Sequence, residues 1–360
     1  MICKNVDMTI QELFKWVENF NTHSQQTDSE TTEAYIERLL DIYYKELNGM
    51  SSPVGALVDW LSFLTDIDSL NNIILDCLNL YAQAKIADSI NRFHDILRTK
   101  NSFLTLVVDP AKDEDKNWYR MRLQEDEKRI FSAKEMFHIP FTLRHKVSLA
   151  RYSVSGYPCL YVSRSVWATW EEMHEPKLSD FTVSRLELQN AIDVLDLRVP
   201  VWHDNYNEQE LLRQLYTIPL VLACSVKVKY PKDNFKPEYI IPQLIMLAIA
   251  YSDVPYMGCA YTSTRRNSIF TWPDLRLLDN IALPVKLVNQ TQKLCPKLCS
   301  MFKVSDSTNY DYELLKEPFN TLFWTTYDEG ISIDDGKNYE SSVFGQIEGR
   351  LQKMETKTLS

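Results

Sequence analysis

Residues 151–172 read RYSVSGYPCLYVSRSVWATWEE. Within this stretch the apolar run 158–162 lies between turn residues, which predicts a short strand. Ser163 or Ser165 then provides the N-cap of a helix that contains two tryptophans and a pair of glutamates. The stretch therefore predicts a strand that is followed, after a tight turn, by a helix.

Four polar side chains of this unit are candidates for a binding site: Arg151, Tyr161, Glu171 and Glu172. The predicted unit places the phenol and a glutamate beside one pocket, with the arginine entering from the preceding loop. A guanidinium beside a carboxylate and a phenol suits a phosphate-bearing sugar. The same side chains equally form an ordinary surface salt bridge, so residue types alone leave both interpretations open.

The order and spacing of these residues resemble the RES domain, a family named after its arginine, glutamate and serine. The family pattern of arginine, aromatic residue, glycine, proline, tyrosine and glutamate is matched by Arg151, Tyr152, Gly156, Pro158, Tyr161 and Glu172. The family's serine lies in a later G-x-x-Y-x-S segment, which is matched by Gly258, Tyr261 and Ser263. Thr262 departs from the proline that is common before that serine. The resemblance covers about residues 116–290.

RES proteins have a core similar to that of ADP-ribosyltransferases and break the nicotinamide–ribose bond of NAD, often as the toxin of a toxin–antitoxin pair. The resemblance implies an NAD phosphorylase or glycohydrolase, with NAD as substrate, inorganic phosphate as a co-substrate of the phosphorylase, and no permanently bound cofactor. It assigns Arg151 to the pyrophosphate or the incoming phosphate, and Glu172 to the positive charge on the ribose. It also implies two further catalytic and substrate-binding residues, Tyr161 at the nicotinamide ribose and Ser263 at a phosphate or ribose oxygen. Tyr152 and Arg120 are further substrate-binding residues, although Arg120 is equally well a solvent-facing residue of the strand.

Two other functions remain open. ADP-ribosyl transfer to a macromolecule uses the same fold, and product analysis separates it from NAD cleavage. A non-catalytic binding module, in which the N-terminal helices recruit a partner, predicts a broken motif, whereas the motif of this chain is complete.

Two residues near the motif leave alternatives of their own. Glu171 is adjacent to Glu172 but points about 100° away on a helix. His138 is either a general base or a loop histidine that is hydrogen-bonded to backbone, and the second outcome is the more common one.

Composition limits the class of protein. The 360 residues suffice for two domains, and the formal net charge of -10 opposes binding to nucleic acid. The seven cysteines are dispersed, which suits reduced thiols in a cytosol, and their spacing predicts no metal site. The most apolar run, 239–251, is too short to span a bilayer. These features predict a cytoplasmic protein without membrane or nucleic-acid partners.

The chain order predicts an α+β protein with an N-terminal helical bundle. A capping box at 9–12, an apolar stripe over 35–47, a helix start at 52–53 and a long pattern over 67–99 predict four helices. Further predicted elements are strands at 118–122, 181–188, 191–199 and 280–288, helices at 208–216 and 238–250, a mixed apolar segment at 218–228, and an aromatic segment at 310–324 that packs on the domain.

A charged linker after residue 108 divides the predicted domains. They are a helical domain at 1–112 for regulation or assembly, a RES-like catalytic domain at 113–300 with a small mixed, mainly antiparallel β core, and an extension at 301–360 that packs on it. The tail of this extension, from about 345, is predicted to be frayed or a loose helix. The helical domain suggests an antitoxin, a regulatory protein or a second copy of the chain as partner.

Overall fold

The structure is a computed structural model, and it describes residues 8–53, 59–124, 130–251, 253–265, 274–286, 293–309, 326–327, 330–331 and 339–359. The helices are α1 Ile10–His23, α2 Thr32–Gly49, α3 Trp60–Ala82, α4 Ile86–Thr99, α5 Asn101–Leu104, α6 Asp113–Lys116, α7 Val166–Glu172, α8 Glu208–Cys224, α9 Ile240–Tyr251, α10 Pro296–Met301 and α11 Val343–Lys353. The strands are β1 Thr105–Val108, β2 Asn117–Leu123, β3 Cys159–Ser163, β4 Phe181–Leu188, β5 Ile192–Leu197, β6 Cys259–Thr262, β7 Asp279–Pro284, β8 Phe302–Ser305, β9 Thr308–Asn309, β10 Thr326–Tyr327, β11 Gly330–Ile331 and β12 Thr356–Thr358.

The chain forms two compact units, and neither is continuous in sequence. The first comprises Met1–Leu106, Leu149–Val154 and Asp193–Thr264, and the second comprises Val107–Ser148, Ser155–Ile192 and Arg265–Ser360. This division differs from the contiguous segments predicted at 1–112, 113–300 and 301–360. The reason lies in the first unit, where the late helices α8 and α9 pack against the early helices α2, α3 and α4.

The first unit is built mainly from helices. The capping box predicted at Thr9 and Glu12 is confirmed at the start of α1. Buried faces of α2, α3 and α8 meet in its core, and the hydroxyl of Tyr43 donates to the carbonyl of Leu215 over 2.6 Å. A short parallel pair, β5 and β6, completes the unit. The predicted buried helix at 238–250 is confirmed as α9, whose first residue is Ile240.

The predicted continuous pattern over 67–99 is wrong, because two helices share it. The helix α3 begins at Trp60 with Asp59 as its N-cap, while residues 54–58 lie outside the described part of the chain. It ends in a left-handed residue, Ala84, with a φ of 60°. The amides of Ala84 and Lys85 donate back to Tyr81 and Leu80, which is the Schellman arrangement that usually employs glycine. No glycine signals this end in the sequence.

The helix predicted at 208–216 is longer than expected. In the structure α8 continues to Cys224 and includes Pro219, so the segment at 218–228 that we interpreted as mixed is helical in its first part. Its residues from Leu215 to Cys224 are all buried. A surface helix is recognised in a sequence by its alternation of apolar and polar faces. This part of α8 is buried on every face and lacks that alternation, so its helical structure was not predicted.

The second unit is built around an antiparallel sheet with the strand order β7-β3-β2-β4-β8-β12, with β9 beside β4. The helices α7 and α11 pack on this sheet through a core that includes Trp167, Phe181 and Phe344. The tail from 345, predicted as frayed or a loose helix, is helical in its first part, where Ile347 and Leu351 of α11 are buried in this core, and β12 pairs with β8. The aromatic segment 310–324 lies outside the described residues.

The predicted class, an α+β protein with N-terminal helices and a mainly antiparallel sheet, is confirmed. In the parts of the chain that the structure describes, no helix has both the length and the hydrophobicity of a membrane span.

Candidate active site

The strand and helix predicted around residues 158–172 are confirmed as β3 and α7. Gly156 makes the turn before the strand with a φ of 77°, a conformation that glycine adopts without strain. Ser165, one of the two predicted caps, accepts a hydrogen bond at its Oγ from the amide of Ala168 over 2.9 Å. The helix then ends at Glu172, so this carboxylate lies at a helix end.

The carboxylate of Glu172 is held from two sides. Its Oε1 accepts a hydrogen bond from Nδ2 of Asn280 over 3.2 Å, and its Oε2 lies 3.4 Å from Nε of Arg265. The side chain of Glu172 keeps 27% of its surface exposed. Glu172 is therefore both oriented by the protein and accessible from outside it.

The neighbouring Glu171 has a different environment. It is only 2% exposed, and its Oε1 accepts a hydrogen bond from the indole of Trp167 over 3.1 Å. The two adjacent glutamates thus point in different directions, as the helical periodicity predicts. Of the two, only Glu172 presents a carboxylate that a substrate can reach.

Arg265 connects Glu172 to a histidine. Its Nη1 lies 2.7 Å from Nδ1 of His174, a residue with a φ of 65° just after α7. The pKa of His174 is lowered from its ordinary value, first by burial and then by the guanidinium of Arg265. A neutral imidazole offers a lone pair to the arginine. We expected neither residue at the site, although Arg265 belongs to a visible pair of arginines in the sequence.

Tyr161 and Arg120 meet through the backbone of β3. Nη1 of Arg120 donates to the carbonyl of Tyr161 over 2.9 Å. Its Nε is buried and has no hydrogen-bond partner among the residues that the structure describes. Burial, followed by repulsion from Arg122, lowers the pKa of Arg120 to about 10. Arg120 is thus a partly buried cation with one N–H group that has no acceptor among the described residues. Burying such a group costs free energy unless an anion accepts its hydrogen bond.

Arg151, in the first unit, uses its guanidinium within the protein. It donates to the carbonyls of Cys224 over 2.8 Å and Val226 over 2.9 Å, and to Oγ1 of Thr264 over 3.2 Å. Its guanidinium also lies 4.9 Å from the ring centroid of Tyr239. A cation at the carboxyl end of α8 satisfies terminal carbonyls and the helix dipole. These contacts show that Arg151 stabilises the structure of the first unit, whether or not it also contacts a ligand.

The other two predicted residues of the first unit are buried near Arg151. Ser263, which directly precedes the Thr264 partner, is 6% exposed at the end of β6. Tyr152 is 1% exposed and packs against Tyr261 with ring centroids 4.3 Å apart. Arg151 and Tyr152 therefore lie in the first unit with Tyr261 and Ser263, whereas the rest of the first motif segment, from Gly156 to Glu172, belongs to the second unit.

His138 has the structural environment that we considered the more common outcome. Its Nδ1 lies 3.0 Å from the carbonyl of Ile139, and its Nε2 accepts from the amide of Cys295 over 2.9 Å. Burial lowers the pKa of His138 to about 4. Both ring nitrogens are used, so a general base at this position is not supported.

Comparison with known proteins gives one informative result. No protein-family model matches the chain, and no solved structure matches it significantly. The chain is 30% identical to the "Putative toxin YopC" of Bacillus subtilis (strain 168) over 305 residues, which cover 80% of this chain and 68% of that protein. A similarity that extends over most of both chains indicates common descent, and the chain belongs to the same family as YopC.

Proposed function

We propose that this protein is a toxin that cleaves the bond between nicotinamide and ribose in NAD, with phosphate or water as the acceptor. The toxin part rests on the name of the relative YopC. The chemical part rests on the resemblance to the RES domain and on one observation, the oriented and partly exposed carboxylate of Glu172. Growth arrest then follows from loss of the cellular NAD pool.

The reaction places few demands on the protein. Nicotinamide leaves as a neutral molecule from a cationic ring, so the leaving group needs no general acid. Positive charge then develops on the ribose, and a carboxylate that is fixed in place stabilises such an oxocarbenium-like transition state. Glu172 has the orientation and the exposure for this role.

The anionic parts of NAD require donors. In the proposal Arg120 supplies one, because the residue is only partly buried and its positive charge persists at neutral pH. Tyr161 lies on the strand to which Arg120 is bonded, and in the proposal it contacts the nicotinamide ribose. Arg151 and Ser263 are the further substrate-binding residues that the resemblance implies, and both belong to the first unit.

An NAD-consumption assay with two neighbouring variants tests the proposal. We expect Glu172→Gln to lower the rate of NAD loss by about 100-fold or more, since a charge-stabilising group is removed. Glu171→Gln is the matched control, because it makes the same change one residue away at a buried carboxylate that Trp167 still bonds. The control should keep a rate within a few-fold of wild type, and its expression should still arrest bacterial growth.

Two arms of the assay define the acceptor and the alternatives. Rates with and without inorganic phosphate separate phosphorolysis from hydrolysis, and product analysis shows free ADP-ribose, its phosphate, or a labelled macromolecule. A folded wild-type protein that leaves NAD intact under all these conditions contradicts the proposal. Equal loss of activity in Glu171→Gln and Glu172→Gln contradicts the role of Glu172.

A further inference from the structure

Asn280 is the central residue of a hydrogen-bonded network that includes the carboxylate of Glu172. It is 1% exposed in β7, and its backbone pairs with that of Ser163 in β3. Its Nδ2 donates to Glu172 and, over 3.2 Å, to the carbonyl of Leu278. Its Oδ1 accepts a hydrogen bond of 2.5 Å from Oγ of Ser163.

The partners fix which way the amide points. A carboxylate and a backbone carbonyl only accept hydrogen bonds, so the nitrogen of Asn280 must face Glu172 and Leu278. The hydroxyl of Ser163 then donates to the remaining oxygen. Every group of the buried amide is engaged, which makes a rotation of this side chain costly.

The network connects the carboxylate to a regular strand pair of the second unit. Five residue pairs join β3 to β7, and the ladder continues where the amide of Arg164 donates to the carbonyl of Asp279 over 2.8 Å. Glu172 is the last residue of α7. No helical turn follows it, so no later helix residue packs against its side chain and limits its motion. The rigid strand pair, through Asn280, supplies the restraint that the helix end lacks.

We propose that Asn280 is a positioning residue, which fixes the carboxylate of Glu172 with one oxygen bonded to the sheet and the other directed toward Arg265 and the substrate. This inference rests on the proposed function of Glu172. An amide donor also favours the charged form of a carboxylate, and the charged form is the one that stabilises a cationic ribose. Asn280 needs no contact with NAD for this role.

The isosteric variant Asn280→Asp tests the inference. It replaces the donor by a second carboxylate at hydrogen-bonding distance, and two carboxylates so close resist simultaneous ionisation. We expect kcat for NAD cleavage to fall by about 10- to 100-fold with little change in KM, since the group acts on the transition state. The acid limb of the pH–rate profile should move by about one pH unit or more to higher pH.

Two further variants separate positioning from loss of structure. Ser163→Ala removes the hydroxyl that orients the amide, and it should lower kcat several-fold without moving the acid limb. Asn117→Asp is the matched control, because it makes the same substitution in the same unit at a residue whose Oδ1 accepts from Arg185. It should leave kcat and the pH–rate profile as in wild type, and circular dichroism should show all three variants folded.

The outcomes distinguish this inference from the proposed function. Wild-type protein that does not consume NAD overturns the proposed function, and the inference fails with it. Active wild type together with an unchanged kcat and pH–rate profile in Asn280→Asp overturns the positioning role alone. A fall in kcat of the same size in Asn117→Asp also overturns it, because the effect then reflects general destabilisation.

Discussion

The two ends of α7 each involve a glutamate, and the two glutamates have opposite environments. At the first turn, Oε1 of Glu348 from α11 accepts a hydrogen bond from the amide of Val166 over 2.6 Å and another from the hydroxyl of Tyr339. Burial raises the pKa of Glu348 to about 7. The hydrogen bonds from Tyr339 and Val166 lower this pKa, but their effect is smaller than that of burial. At the last residue, Glu172 is partly exposed and has an amide and a guanidinium as partners.

The difference shows that a perturbed carboxyl group is not by itself a candidate for catalysis. Glu348 has the raised pKa that often marks an active site, but it is enclosed and bonds the start of a helix. Glu172 has donors for its charged form and a surface that a substrate reaches. Burial thus makes one glutamate structural, and access with matched donors makes the other suitable for chemistry.

The largest expected effect concerns Glu348 and pH. Its raised pKa means that the folded state binds a proton more tightly than the unfolded state, so this stabilisation is complete below pH 4.5 and is lost as pH rises through about 7. We expect Glu348→Gln to be more stable than wild type at pH 8, by up to about 3 kcal/mol, with little difference at pH 4.5. Urea denaturation at both pH values measures this.

A constant difference between wild type and Glu348→Gln at the two pH values would contradict this prediction. It would mean that Glu348 titrates as an exposed carboxyl group, and the contrast between the two ends of α7 would disappear. Glutamine keeps an oxygen for Val166 and Tyr339, so the variant changes charge and little else.

A smaller effect is expected at the packing of α11 against the turn that contains Tyr339. A Cβ on Gly345 would lie 2.5 Å from the carbonyl oxygen of Tyr339 and 2.6 Å from Cα of Glu340, both of them backbone atoms. We expect Gly345→Ala to lower the free energy of unfolding by about 1–3 kcal/mol, since the turn must move. Thermal denaturation measures the change.

Gly349 provides the matched control in the same helix. A Cβ there meets nothing within 4 Å, so Gly349→Ala should raise the free energy of unfolding by about 0.5–1 kcal/mol through helix propensity. If both alanine variants change stability in the same direction, the close approach at Gly345 does not govern this helix.

The smallest effect is expected from Arg265→Ala at the other end of α7. The side chains of Arg265 and Glu172 are 35% and 27% exposed, so water screens their attraction. We expect a loss of about 1 kcal/mol or less in the free energy of unfolding, as for other exposed ion pairs. A urea titration at low and high salt measures this loss. A loss above about 2 kcal/mol would contradict the prediction and show that the ion pair is needed to hold the end of α7 in place.

The local part of the site was predictable from sequence, and its supporting residues were not. The strand β3, the cap Ser165 and the position of Glu172 all follow from a stretch of about twenty residues with clear turn, cap and apolar signals. Asn280 contacts Glu172 across 108 positions of the chain, and a single asparagine in a strand carries no spacing signal. The pairing of β12 with β8 was also missed, because β12 has only three residues, none of which is buried, and so carries no apolar pattern.

Backbone partners explain the other differences. The contacts of Arg151 with Cys224 and Val226 involve carbonyl groups, which every residue has, so no side-chain pattern announces them. The end of α3 at Ala84 uses a left-handed residue that is not glycine, and its signal is therefore absent. Sequence patterns give information about side chains. Both of these features depend on main-chain groups or main-chain conformation, so the sequence patterns did not predict them.

The discontinuous first unit has a consequence for synthesis of the protein on the ribosome. The helices α2, α3 and α4 emerge early, but their partners α8 and α9 follow only after roughly 100 further residues, which takes about 5–20 s at ordinary translation rates. During that interval the faces of the early helices that later contact α8 and α9 lack those partners. Because this unit closes only after β6 has emerged, a nascent chain spends most of its synthesis with an incomplete core, within reach of chaperones and proteases.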